Sequence, residues 1–374
     1  MKDDKEILAL TGLRFVAAFY VFVFHIHIRW PVTDAKFLGN ILGQGAIGMS
    51  LFFILSGFVL AYRYADGKTP LRAYLINRFS RIYPIYAAAA LVTLPWIGIS
   101  MGDGSAAEMG KAITQGFLLV IANIFLVQAW FPQFFDYWNN GGSWSISVEA
   151  FCYVLLPFLL PTLTRLPPKR LLLVAIACYA LATLPGLVGF IFPDAPRGVY
   201  YSMPIYRLPE FVIGVCCYLA FRNGWGEKFK PIHQVAFLVT TTTYLGFFGP
   251  SIPNYVGHNW IAVPFIAFMI FTLSNGKGIL ASSLSGSFLV WLGKISYSFY
   301  SFQALVIMFL ISYHDQILVR LPALANNKLF LLFALFILVL ISAIGYYLIE
   351  EPARRRIKNA YATRSTAVLQ TAPL

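Results

Sequence analysis

The sequence predicts an all-α integral membrane protein of about ten transmembrane helices, joined by one further helix that is re-entrant or lies at the membrane interface. Three observations carry this. Of 374 residues, 59% are hydrophobic and only 11% charged, against about 25% charged in soluble domains. The apolar residues gather into eleven runs of roughly 17–25 residues, the length that spans a bilayer as a helix. The basic residues fall in short clusters between the runs, which is how loops record their side of a membrane. A net charge of +13 would suggest nucleic acid for a soluble chain; distributed in this way it does not, and no nucleic-acid partner is expected. Ten spans use most of the length, so one membrane domain over 1–358 is expected, followed by a polar, flexible cytoplasmic tail over 359–374.

The first run, 9–29, reads as a retained span. Asp3, Asp4 and Glu6 dilute the positive region of a signal peptide, Arg14 interrupts the apolar core, and no small-x-small cleavage site follows. Lys2 and Lys5 precede this run; Arg63, Lys68, Arg72, Arg78 and Arg81 follow the second run, 45–64; Arg165, Lys169 and Arg170 follow the fifth, 145–163. These three places are expected in the cytoplasm. An even number of crossings must then separate residues 63–81 from 165–170, yet three runs lie between: 80–99, 112–130 and 145–163. The run 112–130 carries Thr114, Gln115, Asn123 and Gln128 and is assigned to the re-entrant or surface-lying helix. The runs 170–192, 206–222, 232–250, 258–274, 288–312 and 327–349 then alternate. They leave Arg222, Lys228 and Lys230, Lys277 and Lys294, and finally Arg354–Arg356, Lys358 and Arg364 in the cytoplasm together with both termini. Cys152, Cys178, Cys216 and Cys217 lie in or beside apolar runs without ligand spacing, so core packing is expected, with no disulfide framework and no metal.

Ionisable groups inside such runs cost at least about 2.5–3.5 kcal/mol and usually face a bundle interior or a wet cavity. Arg14 and His25, eleven residues apart in the first run, differ by only about 20° in azimuth and by roughly 16 Å in height on an α-helix. They share one stripe at two depths. Snorkelling of Arg14 to the interface and burial of a satisfied His25 are the plainer alternatives. His27, nearly opposite His25, and Arg29, near the outer surface, read more strongly as interfacial. In "LFFILSGFVL", Ser56 and Gly57 permit close backbone approach. Arg78 and Arg81 in "NRFSRIYPIY" fall on one helical face and suit a phosphorylated ligand, although topology alone also places basic residues there. "NNGGSWSISVEAFCY" sets a glycine-rich loop before the fifth span, with Trp144, Ser147 and Glu149 at an outer mouth. That set reads as a cradle for a sugar, or as an interfacial anchor and a helix N-terminal acid.

Together these stretches resemble the membrane-bound acyltransferase 3 family, whose members acylate bacterial polysaccharides, lipopolysaccharide O-antigens and related glycans. The resemblance covers about residues 7–358. It rests on "LTGLRFVAAFYVFVFH", whose Arg14 and His25 match an Arg-x10-His motif, and on "SLFFILSGFVL", "RFSRIYPIY", "WSISVE", "RLPEFVIG" (207–214), "LGKISYSFYSFQ" (292–303) and "IEEPARRR" (349–356) in family order. It implies acyl-CoA, most commonly acetyl-CoA, as a cytoplasmic co-substrate. It also implies a glycan or lipid-linked oligosaccharide as acceptor, polysaccharide-biosynthesis proteins as partners, and the bacterial cytoplasmic (inner) membrane as location.

In that scheme His25 is the general base. Glu149 orients its imidazole or binds the acceptor, wherever folding brings the two together. Arg14, Ser56, Arg78 and Arg81 serve the donor, and Trp144, Ser147, Arg207 and Tyr297 the acceptor. Direct transfer is favoured over an acyl-histidine intermediate. Two departures from the pattern bear on the acceptor pocket: Ala150 stands where the family often has a second acid, and Gln303 where it frequently has histidine. A glycan flippase or transporter and a non-enzymatic component of a polysaccharide-assembly complex remain the alternative functions, although no internal repeat of the transporter kind is visible.

Overall fold

The structure, a computed structural model, describes residues 6–371 apart from 101, 103, 193, 195, 196 and 253–255. Lys2 and Lys5, which supported the sidedness of the first span, lie outside the described residues, as do Asp3 and Asp4. Among the described residues there is no strand. The chain forms helices α1 (Leu8–His27), α2 (Lys36–Leu42), α3 (Gly48–Tyr64), α4 (Leu71–Val92), α5 (Ala106–Ile124), α6 (Asn140–Thr164), α7 (Pro168–Ile191) and the short α8 (Arg197–Tyr200). It continues through α9 (Pro204–Arg222), α10 (Pro231–Phe248), α11 (Asn259–Leu273), α12 (Ile279–Leu284), α13 (Ser287–Arg320), α14 (Asn327–Gly345) and α15 (Glu351–Thr371).

Every apolar run of the sequence has its helix, and among the described residues seven segments are, by length and composition, long and apolar enough to cross a membrane: α1, Lys36–Tyr64, most of α6, α7, α9, α13 and Asn327–Thr363. Helix α4 opens on Arg72, Arg78 and Arg81, α5 carries Glu108 and Lys111, and α10 carries a run of threonines. Helix α11 is apolar but has 15 residues, about 23 Å at 1.5 Å per residue against a core of about 30 Å. Helix α5 begins earlier than the sequence pattern suggests, because Ser105 caps it by accepting the Glu108 N–H at 3.3 Å. It buries Ala112, Leu119 and Ala122 while Ile113, Phe117 and Leu118 stay exposed.

The glycine-rich segment before the fifth span is not a loop. It is already helix α6, whose first turn is set by the Gly142 and Ser143 N–H groups bonding the Asn139 carbonyl at 2.9 and 2.8 Å. A Cβ at Gly142 would stand 3.0 Å from the Ala304 Cβ, so the glycine lets this turn abut α13. At the other end of the chain, the polar stretch beyond residue 359 continues α15 as helix to Thr371.

Lipid tails are as apolar as leucine, so helix pairing in a bilayer depends on close backbone packing more than on apolar burial. Helices α3 and α9 meet through Gly57 and Gly214, where an added Cβ would lie 2.0 Å from the Phe211 carbonyl oxygen and 1.9 Å from that of Ile54. Helices α1 and α13 meet in the same way at Gly293, whose Cβ position is 2.1 Å from the Thr11 carbonyl oxygen. The rings of Phe15 and Phe22 then pack edge-on against Phe299 at 5.4 and 5.7 Å.

Proline inside a helix leaves the carbonyl four residues earlier without its usual donor, and a neighbouring helix must supply one in a membrane. Pro157 frees the Tyr153 carbonyl, and the Tyr74 hydroxyl of α4 donates to it at 2.9 Å. Pro264 frees the Trp260 carbonyl, and the Tyr179 hydroxyl of α7 donates at 2.6 Å. Replacing Tyr74 by Phe is expected to lower stability by ~1–3 kcal/mol, the cost of an unpaired buried polar group, read as a lowered midpoint of thermal unfolding in detergent. An unchanged midpoint would show that the carbonyl finds another donor.

Candidate active site

The start of α1, the end of α3, the start of α4 and the junction of α14 with α15 meet at one end of the bundle. Inside that end lies a chamber of about 100 Å³. Helix α1 contributes Arg14, α3 contributes Ser56, α4 contributes Arg78 and Arg81, α6 contributes Glu149 and Tyr153, and α13 contributes Tyr297 and Tyr300. A larger cavity of about 570 Å³ adjoins it and shares Arg14, Val59, Leu60, Arg78 and Arg81 as lining.

The polar groups of the chamber are wired across helices. The Tyr153 hydroxyl donates to Glu149 Oε2 at 2.9 Å and lies 3.4 Å from Ser56 Oγ. The Ser145 hydroxyl donates to the Tyr300 oxygen at 2.7 Å. Arg81 forms an ion pair with Glu350, whose other oxygen accepts from Ser298 Oγ at 2.6 Å. Glu350 is fully buried and belongs to a π-helical turn, Tyr346–Glu350, between α14 and α15; single wide turns of this kind are frequent at functional sites.

Arg78 Nη2 donates to the Tyr64 hydroxyl at 3.2 Å, and its guanidinium lies over the Tyr64 and Tyr153 rings at 5.5 and 5.8 Å. Arg81 lies 5.8 Å from the centre of the Tyr297 ring. The Glu149 carboxylate faces the charges of Arg14, Arg81 and Arg78, all from other helices. Among the described residues no side chain hydrogen-bonds the Arg14 guanidinium, so its donors are available to a ligand in the chamber.

Of the ten residues singled out from the sequence, Arg14, Ser56, Arg78, Arg81, Glu149 and Tyr297 therefore meet in one place. His25 lines neither cavity. It is half-buried near the C-terminal end of α1, its ring 5.0 Å from that of Phe24 and its backbone carbonyl accepting from Arg29 Nη1 at 2.8 Å. The Glu149–His25 contact considered from the sequence is not formed. Glu149 lies one turn before Tyr153 on α6, on the lining of the chamber with Arg14, and not against the later turns of α1.

Trp144 and Arg207 come together elsewhere. The Arg207 guanidinium is stacked among Phe53, Trp144 and Tyr201, 5.1–5.8 Å from their ring centres, and pairs with Glu210 at 2.9 Å. Glu210 Oε1 also accepts from Ser50 Oγ and from Asn259 Nδ2, at 3.2 and 2.9 Å, so this buried knot pins α9 to α3 and α11. Ser147 is buried away from both groups and accepts the Ala129 N–H at 3.4 Å.

Sequence reasoning missed Tyr153 and Tyr300 in the chamber, Glu350 behind its Arg81, and Glu210 and Asn259 in the knot. Glu350, Glu210, Tyr153 and Tyr300 all lay inside stretches that stood out in the sequence but carried no sign of their partners; Asn259 carried no local signal.

The chain matches the family model of the acyltransferase domain over residues 7–348. It is 30% identical to the acyltransferase MdmB of Streptomyces mycarofaciens, an alignment covering 80% of this chain and 79% of that one. It is 25% identical to the putative O-acetyltransferase SAR0937 of Staphylococcus aureus (strain MRSA252), over 99% of this chain and 61% of the relative. It is also 25% identical to the O-acetyltransferase OatA of Staphylococcus aureus (strain NCTC 8325 / PS 47), over 97% of this chain and 59% of the relative. The chain thus spans about three fifths of these staphylococcal relatives. No solved structure matches it. With a family model running from the start of α1 to the end of α14 and through every helix of the chamber, this multi-pass membrane protein belongs to the acyltransferase 3 family.

Proposed function

We propose that the protein is a membrane O-acetyltransferase that moves an acetyl group from cytoplasmic acetyl-CoA to a hydroxyl of an extracytoplasmic glycan, such as an exopolysaccharide or O-antigen, at the bacterial inner membrane. The observation that carries this reading is the pairing of a roomy, cation-lined cavity with a small chamber reached past Arg14. A phosphorylated carrier suits the first, and the second suits the narrow arm that carries its acyl group onward toward His25. The family and the O-acetyltransferase relatives support the same chemistry.

Arg14, Arg78 and Arg81 hold the donor in this scheme, with Ser56 beside its path. Arg14 keeps free donors for the donor's pantetheine arm as it runs past toward His25. Glu149 stabilises the three guanidiniums and, with Tyr297, shapes the chamber. His25 stands on the same stripe of α1, roughly 16 Å beyond Arg14, as the general base on the acceptor side, where Trp144, Ser147 and Arg207 support the surrounding helices. The acceptor hydroxyl oxygen attacks the thioester carbonyl as His25 takes its proton. The C–S bond breaks, an ester forms, and the CoA thiolate leaves to be protonated.

Replacing His25 by Ala is expected to lower acetyl transfer by roughly 10²–10⁴-fold, the usual contribution of a general base, at an unchanged membrane level. The readout is mass spectrometry of acetylated surface glycans together with thiol release from acetyl-CoA. A rate within a few-fold of the original would remove His25 as base and leave Glu149, the carboxylate already in the chamber, in its place. Label retained on the protein without acceptor would instead support an acyl-histidine intermediate. Arg78→Ala is expected to raise KM for acetyl-CoA more than KM for the acceptor; an unchanged donor KM would return Arg78 to a purely topological role.

A further inference from the structure

We infer that the C-terminal helix α15 is part of the donor site: Arg354 and Lys358, with Arg63 and Lys294, form a rim that captures the phosphates of a polyphosphorylated ligand before its acyl end enters the chamber. This rests on the acyl-CoA reading above, and α15 lies beyond the stretch that the family model matches.

The rim belongs to the 570 Å³ cavity, which is lined, among the described residues, by seven basic side chains and by one carboxylate, Glu6. Three of the seven, Arg14, Arg78 and Arg81, are shared with the chamber. Arg81 is committed to Glu350, and Arg78 to Tyr64 and the ring of Tyr153. The remaining four come from the end of α3, from α13 and from α15.

Arg354 and Lys358 are four residues apart, so they share one face of α15. Among the described residues, the charges acting on Lys358 are those of Arg354, Arg63 and Arg78, opposed by that of Glu351. Glu351 is itself already paired with Arg354 and with Arg355, the latter at 2.7 Å. A concentration of like charge around one cavity is unfavourable until an anion arrives. Several phosphates on one ligand satisfy it best, because each accepts charge-assisted hydrogen bonds from more than one cation.

Helix α15 is also held in place. The Arg72 guanidinium at the start of α4 lies over the Tyr361 ring at 5.6 Å, and the π-helical turn before α15 is anchored through Glu350. The cations therefore stand on a fixed helix facing the cavity. The same phosphate chemistry is carried by nucleotide-linked thioesters and by anionic lipid headgroups.

The test uses the purified full-length protein in nanodiscs and the double variant Arg354→Ala with Lys358→Ala. The expected result is a rise of about tenfold or more in KM for acetyl-CoA, with KM for S-acetylpantetheine, which lacks phosphates, unchanged. Restoration is expected in Arg354→Lys with Lys358→Arg. Direct binding of adenosine 3′,5′-bisphosphate should weaken in the alanine variant equally in phosphatidylcholine and phosphatidylglycerol discs. Equal losses for acetyl-CoA and S-acetylpantetheine, no loss for either, or a loss that appears only in phosphatidylglycerol discs would overturn the assignment; the last would make the rim a lipid site. If the wild type releases no thiol from acetyl-CoA yet binds the bisphosphate and loses it in the variant, the phosphate rim stands and the acyl-CoA reading fails.

Discussion

The ion pair between Arg81 and Glu350 is the interaction on which the rest of the site depends. It joins α4 to the turn between α14 and α15, and both α13 and the chamber are arranged around it through Ser298 and the Tyr297 ring. Removing one partner of a buried pair leaves an uncompensated charge, at a cost of about 3–5 kcal/mol. Through this one contact α4 presents Arg78 to the chamber, and α15 is launched along the rim of the larger cavity. The two carboxylates divide the work. Glu350 fixes one guanidinium, while Glu149 lies among three without pairing tightly with any of them, which leaves Arg14 free to meet a ligand.

A second buried polar centre does a different job. Arg207 and Glu210 with Ser50 and Asn259 are sealed among aromatic rings, and their hydrogen bonds run between helices that have little else polar in common. The two tyrosine hydroxyls that satisfy carbonyls freed by Pro157 and Pro264 belong to the same class of device. Such contacts set helix positions in a medium where apolar surface alone cannot choose among neighbours.

What was legible in the sequence was whatever a single helix determines. The stripe shared by Arg14 and His25, the common face of Arg78 and Arg81, and the close approach at Gly57 follow from helical periodicity and residue size. Which helix faces which does not. Glu149 had no cation near it in sequence, and its three cationic neighbours come from α1 and α4. The partners of Glu350 are more than fifty residues away in one case and more than two hundred and fifty in the other. Trp144 looked like the mouth of an opening because glycines preceded it; those glycines instead allow α6 to start early against α13, and Trp144 is buried beneath Arg207.

The central claim is that an acetyl group enters at the Arg78–Arg81 end of the bundle and leaves, on a different molecule, at the His25 end. The most direct measurement places the purified protein in sealed vesicles, with acetyl-labelled CoA outside and surface glycan from the host enclosed within. Vesicles in the orientation that presents Arg78 outward are expected to accumulate label on the enclosed glycan, with one free thiol released outside for each acetyl group transferred. Movement of unlabelled glycan across the membrane with no thiol released would contradict the account and identify a transporter.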